Sequence, residues 1–184
     1  MSFAFALISF LLGMWAPQRL INSAGHPAHP DLYATEIPTA LTELGVRYTT
    51  YAGARGYEPL AKWTRRALEE GDPVILGVKI LPTAHPDCGL DHFVLAVGYG
   101  RQGMLVNTTW GTREWVRDTT SKGLSLANGF YGIRLTGIGK QTRAQASLLE
   151  DGEKTVKVRV TCAGRPDRVD TVPAYRVARF DCID

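Results

Sequence analysis

Residues 91–100 read DHFVLAVGYG and residues 104–111 read MLVNTTWG, and these two segments carry the clearest structural signal in the chain. Each is rich in apolar residues, and a turn containing glycine separates them, so the pair is predicted to form a β-hairpin. His92 opens the first strand, and Asn107 or Thr108 closes the second. Because paired strands lie side by side, the imidazole can approach one of these polar side chains. A histidine held by a neutral polar partner is the base half of a Cys-His-Asn type of catalytic site.

The segments around the hairpin follow recognisable helix and strand patterns. Residues 58–70 place Leu60 and Trp63 on one apolar face, and a glycine follows, which predicts an amphipathic helix. Residues 73–80 are a continuous apolar run with β-branched residues, which predicts a buried strand. Further short elements are predicted as a helix over residues 35–44 and strands over residues 46–51, 113–117 and 130–135.

The N-terminal residues 2–14 are almost wholly apolar. A helix that is apolar on all sides is buried, so we expect this segment to be a core helix. It is short for a membrane span, and no basic residue precedes it as in a signal peptide. A signal or membrane anchor remains the alternative interpretation.

The C-terminal part of the chain has a different character. Residues 141–152 are polar and predict a helix or a linker, whereas residues 154–161 alternate between valine and charged side chains, which predicts a half-exposed strand. Residues 165–170 are expected to turn, and residues 174–180 to form a second strand. This tail is therefore predicted to be a small two-stranded appendage.

These elements together predict an α+β fold, in which a buried N-terminal helix packs on a mostly antiparallel sheet. The expected domains are residues 1–140 and the β appendage of residues 141–184. The sequence has three cysteines, of which Cys162 and Cys182 lie in the appendage and could pair.

Residues 73–79, 91–99 and 106–111 together resemble the C39-like group of papain-like cysteine peptidases. The resemblance extends over about residues 2–137, and the strand that begins at His92 is its most specific element. It implies a papain-like fold and a peptidase or amidase activity that acts on a peptide or protein substrate. It also implies that His92 is the catalytic base.

The same resemblance leaves two candidates for the residue that orients the imidazole. Alignment on Trp110 and Gly111 puts Thr108 where the family has Asp or Asn. A shift of one residue supplies Asn107, which we favour because an amide oxygen is the stronger orienter.

In the family, the nucleophilic cysteine begins the buried N-terminal helix. Counting back from Gly13 places it at Met1 or just upstream, so we expect the chain as given to be catalytically silent. Cys88 is a less favoured substitute nucleophile because an extended chain separates it from His92 by about 13 Å. A zinc site formed by His85, Cys88 and His92 is also less favoured, because a second pair of ligands is lacking.

The composition narrows the remaining functional classes. A net charge of +3 without a run of basic residues argues against nucleic acid as a partner. No cofactor and no metal are predicted, no membrane span is assigned, and both cytoplasmic and secreted locations stay open. The alternatives to an enzyme are a non-catalytic peptide-binding relative, and a secreted or anchored protein whose hairpin is purely structural.

Overall fold

The computed structural model describes residues 14–15, 21, 32–80, 90–118, 123–137 and 144–182. The chain divides into two compact units. The first unit spans residues 48–136, and the second combines the described parts of residues 4–47 and 137–184.

Twelve strands and two helices have their bounds within the described residues. In chain order they are β1 (Met14–Trp15), α1 (Ile37–Glu43), β2 (Arg47–Thr50), α2 (Tyr57–Glu69), β3 (Val74–Ile80), β4 (His92–Gly100), β5 (Gly103–Asn107), β6 (Arg113–Val116), β7 (Leu124–Ser125), β8 (Gly132–Gly137), β9 (Ala144–Asp151), β10 (Thr155–Cys162), β11 (Arg168–Pro173) and β12 (Ala178–Arg179).

The first unit is built on a seven-stranded sheet with the order β2-β8-β3-β4-β5-β6, and β7 pairs beside β3. The ladders that β3 forms with β4 and β8, and that β5 forms with β4 and β6, are antiparallel. The predicted hairpin is confirmed as β4 and β5, and the predicted buried strand as β3, whose first six residues are all buried. The sheet thus places the start of β4 and the end of β5 close to each other.

Helix α2 covers one face of this sheet. Leu60, Ala61 and Ala67 are buried at helical spacing, and they belong to one core cluster with the sheet residues Val94 and Val106. Glu58 lies in the first turn of the helix and Arg66 in its last turn, as the helix dipole favours. The amphipathic helix predicted from the sequence is therefore confirmed.

The second unit contains a three-stranded sheet with the order β11-β10-β9 and a two-stranded pair of β1 and β12. Strand β10 alternates strictly, with its valines and Cys162 buried and the residues between them exposed. A disulfide joins Cys162 to Cys182. In the same unit, Arg179 donates a hydrogen bond of 3.1 Å to the carbonyl of Leu44, just after α1.

The predicted α+β fold with a papain-like, helix-packed core is wrong. Within the described residues strands predominate, and their main assembly is the antiparallel seven-stranded sheet. Residue Met14, assigned to the end of the N-terminal helix, lies instead in a strand that pairs with β12. The rest of that predicted helix, residues 2–13, lies outside the described residues.

The predicted details of the tail also need correction. Strand β9 occupies most of the segment expected to be a helix or linker, and β10 pairs with both β9 and β11. The strand that pairs with β10 is β11, which begins in the segment assigned to a turn. Within residues 174–180, where the partner was expected, lies the short strand β12, which pairs with β1 instead. Alanines fill the buried positions Ala144 and Ala146 of β9, so the strand has little hydrophobic contrast in its sequence.

Among the helices of the described ranges, none is both long enough and apolar enough to cross a membrane.

Candidate functional site

His92 is the first residue of β4 and lies opposite Val78 of β3. Its side chain is half-buried, and this burial lowers the pKa of the imidazole below its usual range, although the nearby carboxylate of Asp91 acts in the opposite direction. The neutral imidazole therefore predominates at neutral pH. A neutral imidazole can accept a proton, as a general base must.

Thr109 is the hydrogen-bond partner of this imidazole. Its Oγ1 lies 2.8 Å from His92 Nε2. A threonine hydroxyl can donate or accept, so two arrangements of protons satisfy this contact. When the hydroxyl accepts the Nε2 proton, Nδ1 carries the free lone pair, which is the tautomer that a base acting through Nδ1 needs.

A short turn between β5 and β6 holds Thr109 in place. Thr108 N–H donates to the carbonyl of Thr112 at 2.9 Å, and Thr112 N–H donates to Thr108 Oγ1 at 3.1 Å. The Thr108 hydroxyl also lies 2.9 Å from the Thr112 carbonyl. Gly111 has a φ of +82°, a left-handed conformation that glycine adopts without strain. These bonds close the loop and fix the direction in which its tip points.

Trp110 forms an aromatic wall beside the imidazole. Its ring stacks on His92 with a centroid separation of 5.5 Å and an angle of 24° between the planes. The indole Nε1 donates to Glu114 Oε1 at 3.0 Å, while 46% of the tryptophan surface remains exposed. One side of the imidazole is thus shielded by a ring that also faces solvent.

Asp91 is adjacent to His92 but is engaged elsewhere. Its Oδ2 lies 2.5 Å from Lys79 Nζ, and its Oδ1 accepts the backbone N–H of Ile80 at 2.8 Å. Burial acts to raise the pKa of this carboxyl, but the hydrogen bonds from Lys79 and Ile80 outweigh it and the pKa is lowered. Asp91 is therefore a charged anchor between β3 and the start of β4.

The two orienting residues suggested by the sequence make other contacts in the structure. Asn107 lies opposite Leu95, and its Oδ1 accepts a hydrogen bond of 3.2 Å from Arg113 Nε. Side chains alternate across a strand, so Asn107 shares a face with Leu95 and lies on the face opposite to His92. Thr108 is bound within the turn.

Thr109 is the residue that the sequence analysis missed. In a hairpin of this register the pleat alternation puts Asn107 on the face opposite to His92, because His92 and Leu95 are an odd number of residues apart. Thr109 itself follows the end of β5, where the turn and not the pleat sets the direction of the side chain. The orienting role assigned to Asn107 or Thr108 stays a prediction.

Two of the three cysteines form a disulfide, and the third lies outside the described residues. Cys162 and Cys182 are joined in the second unit, whereas Cys88, His85 and the expected position of the nucleophile at Met1 all lie outside the described residues. The described ranges contain no group of three or more histidine, cysteine or acidic side chains placed to hold a metal ion.

The candidate site is therefore a single cluster of side chains on the first unit. It consists of His92, Thr109, Trp110 and Glu114. Such an arrangement supports proton transfer next to an aromatic surface. Comparisons of the chain with models of known families, with curated proteins and with solved structures found no match.

Proposed function

We propose that the first unit is a peptidase- or amidase-type domain in which His92 serves a thiol nucleophile as general base. The observation that carries this proposal is the 2.8 Å contact between His92 Nε2 and Thr109 Oγ1. It occupies one ring nitrogen and leaves Nδ1 without a hydrogen-bond partner among the described residues. The resemblance of residues 91–99 to C39-like cysteine peptidases supports the same assignment.

The chemistry follows from the state of the imidazole. Neutral His92 takes the proton of the thiol at Nδ1, and the thiolate attacks the carbonyl carbon of an amide. The imidazolium returns that proton to the leaving amine, which departs and leaves a thioester. His92 then takes a proton from water while the hydroxide adds to the thioester carbonyl carbon. The tetrahedral intermediate expels the thiolate, which takes the proton back from the imidazolium, and the acid product releases its own proton to solvent and leaves as a carboxylate.

Two sources of the thiol are compatible with this proposal. The disulfide occupies two of the three cysteines, so Cys88 is the remaining cysteine in the sequence. The resemblance instead puts the nucleophile at position 1 or just before it. Both positions lie outside the described residues, and the alkylation experiment below distinguishes them.

The rate of thiol alkylation by iodoacetamide tests the proposal, because a base in contact with a thiol raises the thiolate fraction near neutral pH. We would measure this rate against pH in the wild-type chain, in Cys88→Ser and in Met1→Cys, each with and without His92→Ala. If Cys88 is the nucleophile, wild-type alkylation falls about tenfold on removal of His92. If position 1 is correct, the same dependence on His92 arises only in Met1→Cys, and Met1→Ser is the control.

A peptide library with a fluorogenic leaving group provides the second readout. Turnover is expected only in the variant whose rate of thiol alkylation depends on His92. Thiol reactivity that is the same with and without His92 in all of these variants would overturn the proposal.

Peptide binding without cleavage is a second candidate function. It is favoured by the choice of threonine as the partner of His92, because a hydroxyl does not enforce the base tautomer as an amide or carboxylate oxygen does. The exposed ring of Trp110 would contact the bound peptide. Saturable quenching of tryptophan emission by peptides, lost in Trp110→Phe and without turnover in any thiol variant, would select this candidate.

A further inference from the structure

We propose that Glu114 is a positioning residue for His92, acting through Trp110. Glu114 fixes the indole against the imidazole, and the stacked indole stabilises the protonated form of His92. This inference rests on the proposed function in one respect: the protonation of His92 affects catalysis only if His92 is the general base.

The placement of Glu114 follows from the sheet. It lies opposite Val106, which lies opposite Ala96, so Glu114 shares with His92 the face covered by α2. Its Oε1 accepts hydrogen bonds from Trp110 Nε1 at 3.0 Å and from the Thr112 hydroxyl at 3.1 Å. One carboxylate oxygen therefore holds both the stacked ring and the turn that presents Thr109.

The burial of Glu114 lowers the stability of the folded state. The residue is 7% exposed, and its Oε2 is buried without a hydrogen-bond partner among the described residues. A buried carboxylate with unused acceptor capacity destabilises a fold relative to an apolar residue of similar size. The described interactions that an apolar residue at this position would lose are the hydrogen bonds from the indole and from the Thr112 hydroxyl.

The consequence for His92 is electrostatic. The face of an indole attracts a cation, and a ring held in a stacked position maintains this attraction when the imidazole becomes charged. Two charged groups act on the pKa of the imidazole: Asp91, which is paired with Lys79, raises it, and the N-terminal ammonium lowers it, whereas Glu114 lies beyond the indole. A fixed indole therefore offsets part of the effect that burial has on the imidazole.

Two substitutions of Glu114 distinguish an effect on the position of the indole from an effect on the stability of the fold. Glu114→Leu removes the acceptor, and we expect it to lower the pKa of His92, measured by NMR titration, by about half a unit. Glu114→Gln keeps an acceptor oxygen at the same place and should restore the wild-type titration. Thermal unfolding of both variants, followed in parallel, identifies conditions in which each remains folded.

A double-mutant cycle with Trp110→Phe tests the route of the effect, since phenylalanine keeps a ring beside His92 but has no N–H. In the Trp110→Phe background, Glu114→Leu should leave the pKa of His92 unchanged. An equal shift in both backgrounds, no shift in Glu114→Leu, or failure of Glu114→Gln to restore the titration would overturn the proposal. None of these measurements uses turnover, so a failure of the proposed peptidase activity would be seen separately in the alkylation experiment.

Discussion

Lys79 Nζ lies 2.5 Å from Asp91 Oδ2, and the other oxygen of that carboxylate accepts the backbone N–H of Ile80. Only 11% of the Lys79 side chain is exposed, against 32% of the Asp91 side chain, so the ammonium is the more buried partner of the pair. We expect Lys79→Met to lower the free energy of unfolding by about 1–3 kcal/mol, because it leaves a partly buried carboxylate without its cation. Urea unfolding at neutral pH measures this loss.

An exposed ion pair provides the control for Lys79. Lys157 and Glu150 pair on the three-stranded sheet with about half or more of each side chain exposed. Lys157→Met should change the free energy of unfolding by less than about 1 kcal/mol. Equal losses in the two variants would show that the partly buried pair next to His92 has no special importance for stability.

The lowered pKa of His92 predicts a dependence of stability on pH. The unfolded chain binds a proton near the ordinary value of 6.5, whereas the folded chain binds it at a lower pH. Stability from this residue is therefore complete above that value and is lost as the pH falls through 6.5 toward the pKa of the folded state. Compared with His92→Gln, the wild-type protein should lose more stability between about pH 8 and pH 5. Parallel unfolding curves for the two proteins across this range would contradict the prediction.

The hydroxyl of Thr109 should bias the equilibrium between the two tautomers of the His92 ring. Thr109→Val keeps the shape of the side chain but removes the hydrogen bond at Nε2, and we expect a loss of about 1 kcal/mol in stability. The ¹⁵N shifts of the ring should also move toward a mixture of tautomers. Thr109→Ser keeps the hydroxyl and should preserve the wild-type shifts. If valine also preserves them, Thr109 does not orient the imidazole.

The disulfide closes a loop with a sequence separation of 20 residues. Loop closure of this length stabilises a fold by about 3 kcal/mol through the unfolded state. The double variant Cys162→Ala with Cys182→Ala should therefore unfold at lower urea, and reductant should give the wild-type protein the same midpoint. A midpoint that is insensitive both to the substitutions and to reductant would refute this.

Gly103 is predicted to be the glycine of the β4–β5 hairpin that tolerates substitution least. Its φ is +114°, and an added Cβ would collide with the carbonyl oxygen of Val116 on β6. Gly103→Ala should cost more than about 3 kcal/mol, because backbone strain and the clash act together. Gly71 also has a positive φ, of +86°, but an added Cβ would meet no atom within 4 Å. Gly71→Ala should cost only about 1–2 kcal/mol, and an equal loss at both positions would argue against the clash.

The elements with the strongest local sequence patterns are the ones whose bounds could be predicted from the sequence. Helix α2 and the strands β3, β4 and β5 have strong periodicity or long apolar runs, and they were predicted within one or two residues. Strand β9 was missed because its buried positions hold alanine, and the partner of β10 was placed too late because β11 is polar and largely exposed. Weak contrast between the faces of a strand leaves little for pattern recognition to detect.

In the candidate site, the strand pattern identified His92 but not the residue that contacts it. His92 was recognised because it opens a strongly patterned strand, but its partner depends on the direction of a five-residue turn. The hydrogen bonds between Thr108 and Thr112 that set this direction join residues four apart through side-chain oxygens. Glu114 was not singled out either, because a single acidic residue in a short strand resembles an ordinary surface charge until its burial is known.

The bond between Cys162 and Cys182 also bears on how the chain would survive cleavage. A protease that cuts one peptide bond between these residues, for example in the exposed turn at Gly164, would leave the two fragments covalently joined. Strand β11 would then remain tethered next to β10 as part of a two-chain molecule. Such a nicked protein would migrate as one band on a denaturing gel without reductant and as two bands with it.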